Sequence, residues 1–344
     1  MLERSLFDHY RLYAEGVMHT FSETIIEANG EQYILTPVQY DQDQLQQQSE
    51  MGQWLQSQGE EGIPELVNTE YGKPTVDLDG TVMGLYRLPS SKKVIRASAP
   101  LGRKLAAFHQ RGQYYSMQSR KKGVLGAQSW KGRWERRLDQ MESWYSQLLR
   151  ERVKTPFDQT FLLTYPYYMA LSENAIQLMN DIAIDDGIGS MGQGNTICHR
   201  RFNETTWLTV DERHPSSIKV PGQFIIDHFT RDLAEWLRED FRNNFSDYRN
   251  MATQFPEIIS AYEEERPLTT VDRKLMIARL LFPLHYFEII ETYYQTVDEE
   301  KKVSLEKEFL KAIEHSGNYE RKVSEVIRYL MDDRSRMRLP VWLE

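Results

Sequence analysis

Two tight-turn signals near the N-terminus constrain this chain most. Asn29-Gly30 stands between Thr24-Ile25-Ile26-Glu27-Ala28 and Glu31-Gln32-Tyr33-Ile34-Leu35, and Asp79-Gly80 turns a second run from Thr75 to Leu88. Asn-Gly and Asp-Gly supply the positive φ angles of a two-residue turn whose twist matches paired strands, so both runs read as β-hairpins. Between them, Asp41 to Gln58 carries Leu45, Met51 and Trp54-Leu55 towards one side and Gly59 at its end, which predicts a helix with a glycine cap. Pro89-Ser90-Ser91-Lys92-Lys93 is a polar break that reads as a hinge. Beyond it almost every apolar run has the helical period. The expectation is an α+β chain of two unequal lobes: a small mixed β/α lobe over 1–91 and a large helical lobe over 92–344. The first twenty residues predict a short helix and little else.

The helical stripes are Leu101, Leu105 and Phe108; Trp134, Leu138, Met141, Tyr145 and Leu148; and Leu171, Ala175, Leu178 and Ile182. Asp232 to Asn243 follows, then stretches at 246–264, 271–296 with a kink expected at Pro283, and 301–332 punctuated by Gly317. A length of 344 residues suits two lobes, because single cores stop growing near roughly 250–300 residues. Leu275 to Tyr294 is the most apolar segment, but Arg279, His285, Glu288 and Glu291 interrupt it. A membrane span needs about 18 uninterrupted apolar residues, so this reads as a buried core helix and no span is expected. A net charge of −9 gives no electrostatic footprint for nucleic acid. Met1 to His9 lacks the basic lead and apolar run of a secretory signal, so synthesis in the cytosol is expected. The single cysteine, Cys198, excludes an internal disulfide. It reads as a buried thiol, since its neighbour His199 would point to the opposite face of an extended segment.

Three further features have a plain and a sharper reading. The glutamine-rich helix (Gln42, Gln44, Gln46 to Gln48) reads as a solvated face, or as side chains available for cross-linking. Arg120, Lys121, Lys122, Lys131, Arg133, Arg136 and Arg137 read as a solvated face, or as a patch for an anionic surface. Asp185-Asp186, opening a glycine-rich loop to Gly194, suggests a metal site but lacks the alternating carboxylates of a calcium loop.

The stretch from Asn195 to Arg238 carries a resemblance. Thr196-Ile197-Cys198-His199-Arg200-Arg201-Phe202-Asn203-Glu204-Thr205-Thr206-Trp207-Leu208 is followed by Ile225-Ile226-Asp227 and Asp232-Leu233-Ala234, and Leu101 to His109 precedes them as Gly-x-x-Leu-Ala-x-Phe-His. In that order, with the hairpins and helix upstream, these resemble the two-lobed protein-kinase-like fold of aminoglycoside phosphotransferases and choline kinases. More narrowly, Cys-His-Arg-Arg-Phe and Asp-His-x-x-Arg-Asp-Leu-Ala-Glu are similar to the spore-coat kinase-like proteins of endospore-forming bacteria, the CotS and YutH group, on its YutH branch.

The resemblance implies a set of catalytic positions, and their occupants depart from the active pattern. The catalytic loop of such enzymes reads His-x-Asp, four residues, then Asn: the Asp accepts the substrate proton and the Asn holds magnesium. Here His199 is followed by Arg201 and Thr206 at those places. The strand lysine that pairs the nucleotide phosphates is replaced by Thr36, and Glu50 is the candidate for the helix glutamate that would meet it. Asp227 takes the position of the second magnesium ligand and is the only metal candidate retained. Arginine stays protonated and cannot serve as a general base, and a threonine hydroxyl is a poorer magnesium ligand than an amide carbonyl. These departures imply no intact catalytic set, no nucleotide cofactor and no metal: a pseudokinase acting as a structural or binding component of the spore coat. It would be made in the mother-cell cytoplasm and would have other coat proteins as partners. An active small-molecule phosphotransferase using Asp227, Asp232 or Glu204 is the competing reading. A third is an anion pocket built on Arg200 and Arg201.

Overall fold

The computed structural model describes residues 2–19, 23–38, 42–89, 99–118, 126–203, 205–210, 217–243 and 248–331. Two compact units emerge, Met1–Arg120 with Thr196–Ile226, and Lys121–Asn195 with Asp227–Glu344. The expected boundary at 91/92 lies outside the described residues. The grouping differs from the expected lobes, in that Leu101–Gln118 and the segment from Thr196 stay with the sheet. Trp54 Nε1 donates to Arg111 O at 3.2 Å and Gln48 Nε2 to Gly222 O at 2.9 Å, which ties both to the helix between the hairpins.

The first unit begins with α1 (Leu2–Tyr10), then β1 (Gly16–His19), β2 (Thr24–Ala28), β3 (Glu31–Pro37), α2 (Gln42–Ser57), β4 (Glu65–Val67), β5 (Val76–Leu78), β6 (Thr81–Arg87) and α3 (Leu101–Gln118). Both hairpins form as expected, with Asn29, Gly30, Asp79 and Gly80 all at positive φ. The sheet runs β1-β2-β3-β6-β4 with antiparallel neighbours, and β5 pairs β6. Strand alternation divides the core between its two faces. Ile26, Tyr33, Leu35 and Leu85 pack with Leu6 and Tyr10 of α1, while Ile25, Ile34 and Tyr86 pack with Leu45 of α2 and with Ile218 and Val220. Each such burial stabilises by roughly 1.5–3 kcal/mol. Strand β1 was not expected: Val17 and Met18 are exposed, so no alternation marks it. Four short strands follow: β7 (Asn195–His199), β8 (Trp207–Leu208), β9 (Ile218–Lys219) and β10 (Phe224–His228), with β7 paired to β10 and β8 to β9, and the unit bounds fall within β7 and β10.

The second unit comprises α4 (Trp130–Arg150), α5 (Pro156–Ile182), α6 (Thr230–Asn243), α7 (Tyr248–Glu263), α8 (Thr270–Leu281), α9 (Leu284–Gln295), α10 (Glu299–Glu314) and α11 (Ser316–Leu330). Thr155 with Asp158, and Thr269 with Asp272, form complete capping boxes that start α5 and α8. In α8 Leu275 to Leu281 is buried all round, the signature of a central helix. The kinked helix expected over 271–296 is instead two helices. Pro283 has no N–H to continue the ladder, and the chain breaks at Phe282-Pro283. Likewise 301–332 divides at His315, next to Gly317. The expected glycine-rich loop after α5 holds a π turn (Ala183–Gly187) and a 3₁₀ turn (Ser190–Gly192), and Asp186 is engaged by Lys274 Nζ at 2.7 Å. Aromatic stacking fills the core: Trp134 on Phe282 at 4.7 Å and Tyr168 on Tyr286 at 3.7 Å. Among the described residues no helix is long and apolar enough to cross a membrane.

Candidate functional site

The residues expected at kinase-like positions are divided between the two units. Strand β7 is buried from Thr196 onward and delivers His199 into an aromatic cage. The imidazole stacks on Phe108 at 4.8 Å, with Phe202 at 5.0 Å, Phe224 at 5.5 Å and Trp207 at 5.9 Å. Its Nε2 accepts from Trp207 Nε1 at 3.0 Å, so the ring N–H lies on Nδ1. Phe108 belongs to α3, where His109 is fully buried and its carbonyl accepts from Thr196 Oγ1 at 2.6 Å. His199, His109 and Cys198 are all fully buried, and Cys198 takes part in no disulfide.

The loop after His199 closes on itself. Asn203 Oδ1 accepts from Thr205 N at 2.9 Å, an Asx turn, and lies 2.8 Å from Thr205 Oγ1. Thr206 Oγ1 accepts from Asn203 N at 2.9 Å and lies 2.9 Å from Arg201 O and 3.0 Å from Asn203 Oδ1. The Thr206 hydroxyl is therefore spent on the backbone and on the Asn203 side chain of its own loop. Arg201 is half-buried. Glu204 lies outside the described residues.

Thr36, expected at the lysine position, is buried on β3 opposite Gly84. Its hydroxyl meets the Glu23 carboxyl, which burial pushes up to about 7 against the lowering effect of that hydrogen bond. A neutral hydroxyl and a carboxyl offer no cation to a phosphate. Glu50 is exposed and takes Gln46 Nε2 at 3.3 Å, while the buried polar side chain of α2 is Gln48.

In the second unit Asp227 is 1% exposed and surrounded by donors. Oδ1 accepts from Trp130 Nε1 and from His228 N, both at 2.8 Å. Oδ2 accepts from Arg231 Nη1 at 2.9 Å and Arg133 Nη2 at 3.3 Å. Burial by itself would raise this carboxyl, but Arg231, Arg133 and Arg279 outweigh burial and hold it below the usual carboxylate range. A second buried cluster adjoins it. Glu235 Oε1 accepts from Arg238 Nη1 at 2.7 Å and from Arg279 Nη2 at 2.6 Å, and the Arg279 guanidinium lies 4.7 Å from the Trp130 ring centroid. Asp232 is fully buried in the first turn of α6. His228 Nδ1 lies 2.8 Å from Thr230 Oγ1, and its Nε2 lies 3.4 Å from Asp272 Oδ1.

Part of the basic cluster is consumed here. Arg133 serves Asp227, Arg137 binds Glu291 with two nitrogens, and Lys131 pairs with Glu135. Arg120, Lys121 and Lys122 lie outside the described residues. Arg231 and Glu235 lie within the Asp-His-x-x-Arg-Asp-Leu-Ala-Glu motif without a role expected for either, and neither Arg279 nor Trp130 was expected near Asp227.

The family described as "Spore coat putative kinase YutH" matches residues 3–326. The endospore coat-associated protein YutH of Bacillus subtilis (strain 168) is 31% identical over 303 residues, covering 88% of this chain and 86% of that protein. Among solved structures, an aminoglycoside phosphotransferase from Alicyclobacillus acidocaldarius superposes with a TM-score of 0.60 at 13% identity, covering 92% of each chain. A microcompartment-associated aminopropanol kinase superposes at 0.56 with 14% identity, covering 96% of this chain and 97% of its own. The fold is accordingly that of the aminoglycoside phosphotransferases, and by the family match and the identity to its Bacillus subtilis relative the chain belongs to the YutH family of spore coat proteins.

Proposed function

We propose that this protein is a kinase-fold component of the bacterial endospore coat that binds or scaffolds other coat proteins and does not transfer phosphate. The observation that carries this reading is the state of Asp227. A magnesium-binding carboxylate must offer an oxygen to the ion, whereas both oxygens here are taken by an indole, a backbone amide and two guanidiniums. A metal would have to displace buried ion pairs. Thr36, Arg201 and Thr206 support the same reading from three other positions, since the phosphate cation, the base and the second metal ligand are all replaced. The family supports the location: synthesis in the mother cell, then incorporation into the coat.

Thermal unfolding with magnesium and ATP tests the catalytic half. A ligand at about 100 times its Kd stabilises a fold by roughly 2.7 kcal/mol, a readily measured rise in Tm. No nucleotide- and magnesium-dependent rise is expected at millimolar ATP; a reproducible rise, with phosphate release, would establish an active phosphotransferase instead. A fluorescent fusion under its own promoter tests the location. It should ring the forespore late in sporulation, and diffuse signal in growing cells with none on purified spores would refute the assignment.

A further inference from the structure

Hydrogen bonds from tyrosine hydroxyls to carboxylates recur among the described residues: Tyr33 to Glu31 at 2.9 Å, Tyr167 to Glu320, Tyr293 to Glu306 at 3.2 Å and Tyr294 to Asp158 at 2.8 Å. Only one of these rings is open to solvent. Tyr33 and Tyr293 are buried, and Tyr294 is half-buried with Trp144, Phe157 and Tyr293 around it, whereas Tyr167 of α5 is 39% exposed. The more exposed tyrosines lack the other half of the arrangement. Tyr13, Tyr71 and Tyr114 make no hydroxyl hydrogen bond among the described residues, and Tyr329 meets another hydroxyl, Ser260 Oγ at 3.2 Å. The chemistry that needs an open ring and a proton acceptor together is one-electron oxidation of the phenol. An oxidised phenol is a strong acid, and a base already within hydrogen-bond reach takes its proton as the electron leaves. Burial first, then the hydrogen bond to Glu320, raises the Tyr167 pKa above its ordinary value, so the ring is not deprotonated beforehand at neutral pH. Inner rings back onto this one. The Tyr167 centroid lies 5.1 Å from that of Tyr168, which stacks on Tyr286 at 3.7 Å. The Tyr286 hydroxyl meets Thr164 Oγ1 at 3.1 Å and the Tyr168 hydroxyl is buried without a hydrogen bond, so neither inner ring has a carboxylate to take its proton. An electron vacancy formed on either is therefore held best on Tyr167.

We infer that Tyr167 is a site of oxidative coupling to a second phenol, with Glu320 Oε1 as the acceptor of its proton. The co-reactant is a one-electron oxidant. Each of the two phenols gives it one electron and loses its hydroxyl proton, which for Tyr167 passes along the existing hydrogen bond to Glu320. The two phenoxyl radicals join through a new carbon–carbon bond between ring positions ortho to oxygen, and the ring proton at each joined carbon moves to its own oxygen, restoring both phenols. Two electrons and two protons are removed in all. The site lies within the helical unit and depends neither on the kinase-like positions nor on where the protein is located.

Treatment of the full chain with hexachloroiridate(IV) at neutral pH tests it, with N-acetyltyrosinamide as the added phenol and peptide mapping by mass spectrometry as the readout. Most of the adduct should map to Tyr167, ahead of the more exposed Tyr13, Tyr71 and Tyr114. Glu320→Gln keeps a hydrogen-bond partner but takes no proton, and should slow labelling of Tyr167 about a hundredfold, the lower end of what a positioned base contributes. Labelling of the other three should not change. Glu320 is half-buried on α11, and circular dichroism checks that the variant keeps its fold. Adduct distributed over the tyrosines in order of their exposure overturns the inference, as does equal labelling of Tyr167 in a folded Glu320→Gln chain. The map of the unsubstituted chain decides the first of these whether or not the variant folds.

Discussion

Asp227 Oδ2, at the end of β10, accepts at 2.9 Å from Nη1 of Arg231 in the first turn of α6, with both side chains withdrawn from solvent. The carboxylate faces a cation supplied by its own chain. Removing the carboxylate should therefore read as a folding defect. Asp227→Ala leaves Arg231 and the Trp130 indole N–H buried without their acceptor, and about 3–5 kcal/mol of stability should be lost in urea unfolding. A purely ligand-binding aspartate would give a loss near zero.

The loop and the core should respond in opposite ways. Arg201 is half-buried on a loop held by Asn203 and Thr206, and the Thr206 hydroxyl donates to its backbone carbonyl, a contact that survives a change of side chain. Arg201→Asp should leave stability nearly unchanged. Leu280 is fully buried in α8, and Leu280→Ala should cost about 2–5 kcal/mol. Paired urea titrations of the two variants check the ranking.

Glu23 sets a pH dependence in the small unit. Its carboxyl is raised from 4.5 to about 7, so the folded chain holds that proton more tightly than the unfolded chain. The contribution is fully present below pH 4.5 and is lost as pH rises from there to about 7. Glu23→Gln should flatten the decline in urea midpoint across that window and make the protein more stable than wild type above it. Asp227 and Asp272 act in a different window. Held below their ordinary value of 3.8, they stabilise above it, and that contribution is lost as pH falls through their depressed values.

Gly194 lies where only a hydrogen fits. A Cβ there would sit 2.1 Å from His228 Nε2 and 2.5 Å from its Cδ2, and the ring is held by Thr230 and Asp272. Gly194→Ala should therefore displace the imidazole and cost about 1–3 kcal/mol, measurable as a lower Tm.

The hairpins were legible because their turns need backbone angles that Asn-Gly and Asp-Gly supply cheaply, and those angles recur in the fold. The helical stripes were legible because burial follows their period. Strand β1 escaped notice since its pairing to β2 is a main-chain property and its side chains face water. The break at Pro283 was visible as a proline, but whether a helix kinks or ends there depends on packing around Phe282. At the site, the surroundings of the residues expected at kinase-like positions could not be read from sequence. Asp227 is enclosed by Trp130 and Arg133 of α4 and Arg231 of α6, brought together over long sequence separations. Charged residues in such runs usually face solvent, which is why Arg133 read as part of a solvated cluster.

Cys198 offers an experimental handle that requires no engineering. It is the single thiol of the chain and has no exposed surface in the folded state. An alkylating reagent therefore reaches it only when strand β7 opens, and each modified molecule records one such opening. Where closing outruns the chemistry, the labelling rate divided by that of a free thiol gives the opening equilibrium constant. The natural sequence is in this sense already a single-site chronometer for the stability of strand β7, readable by mass spectrometry in native buffer.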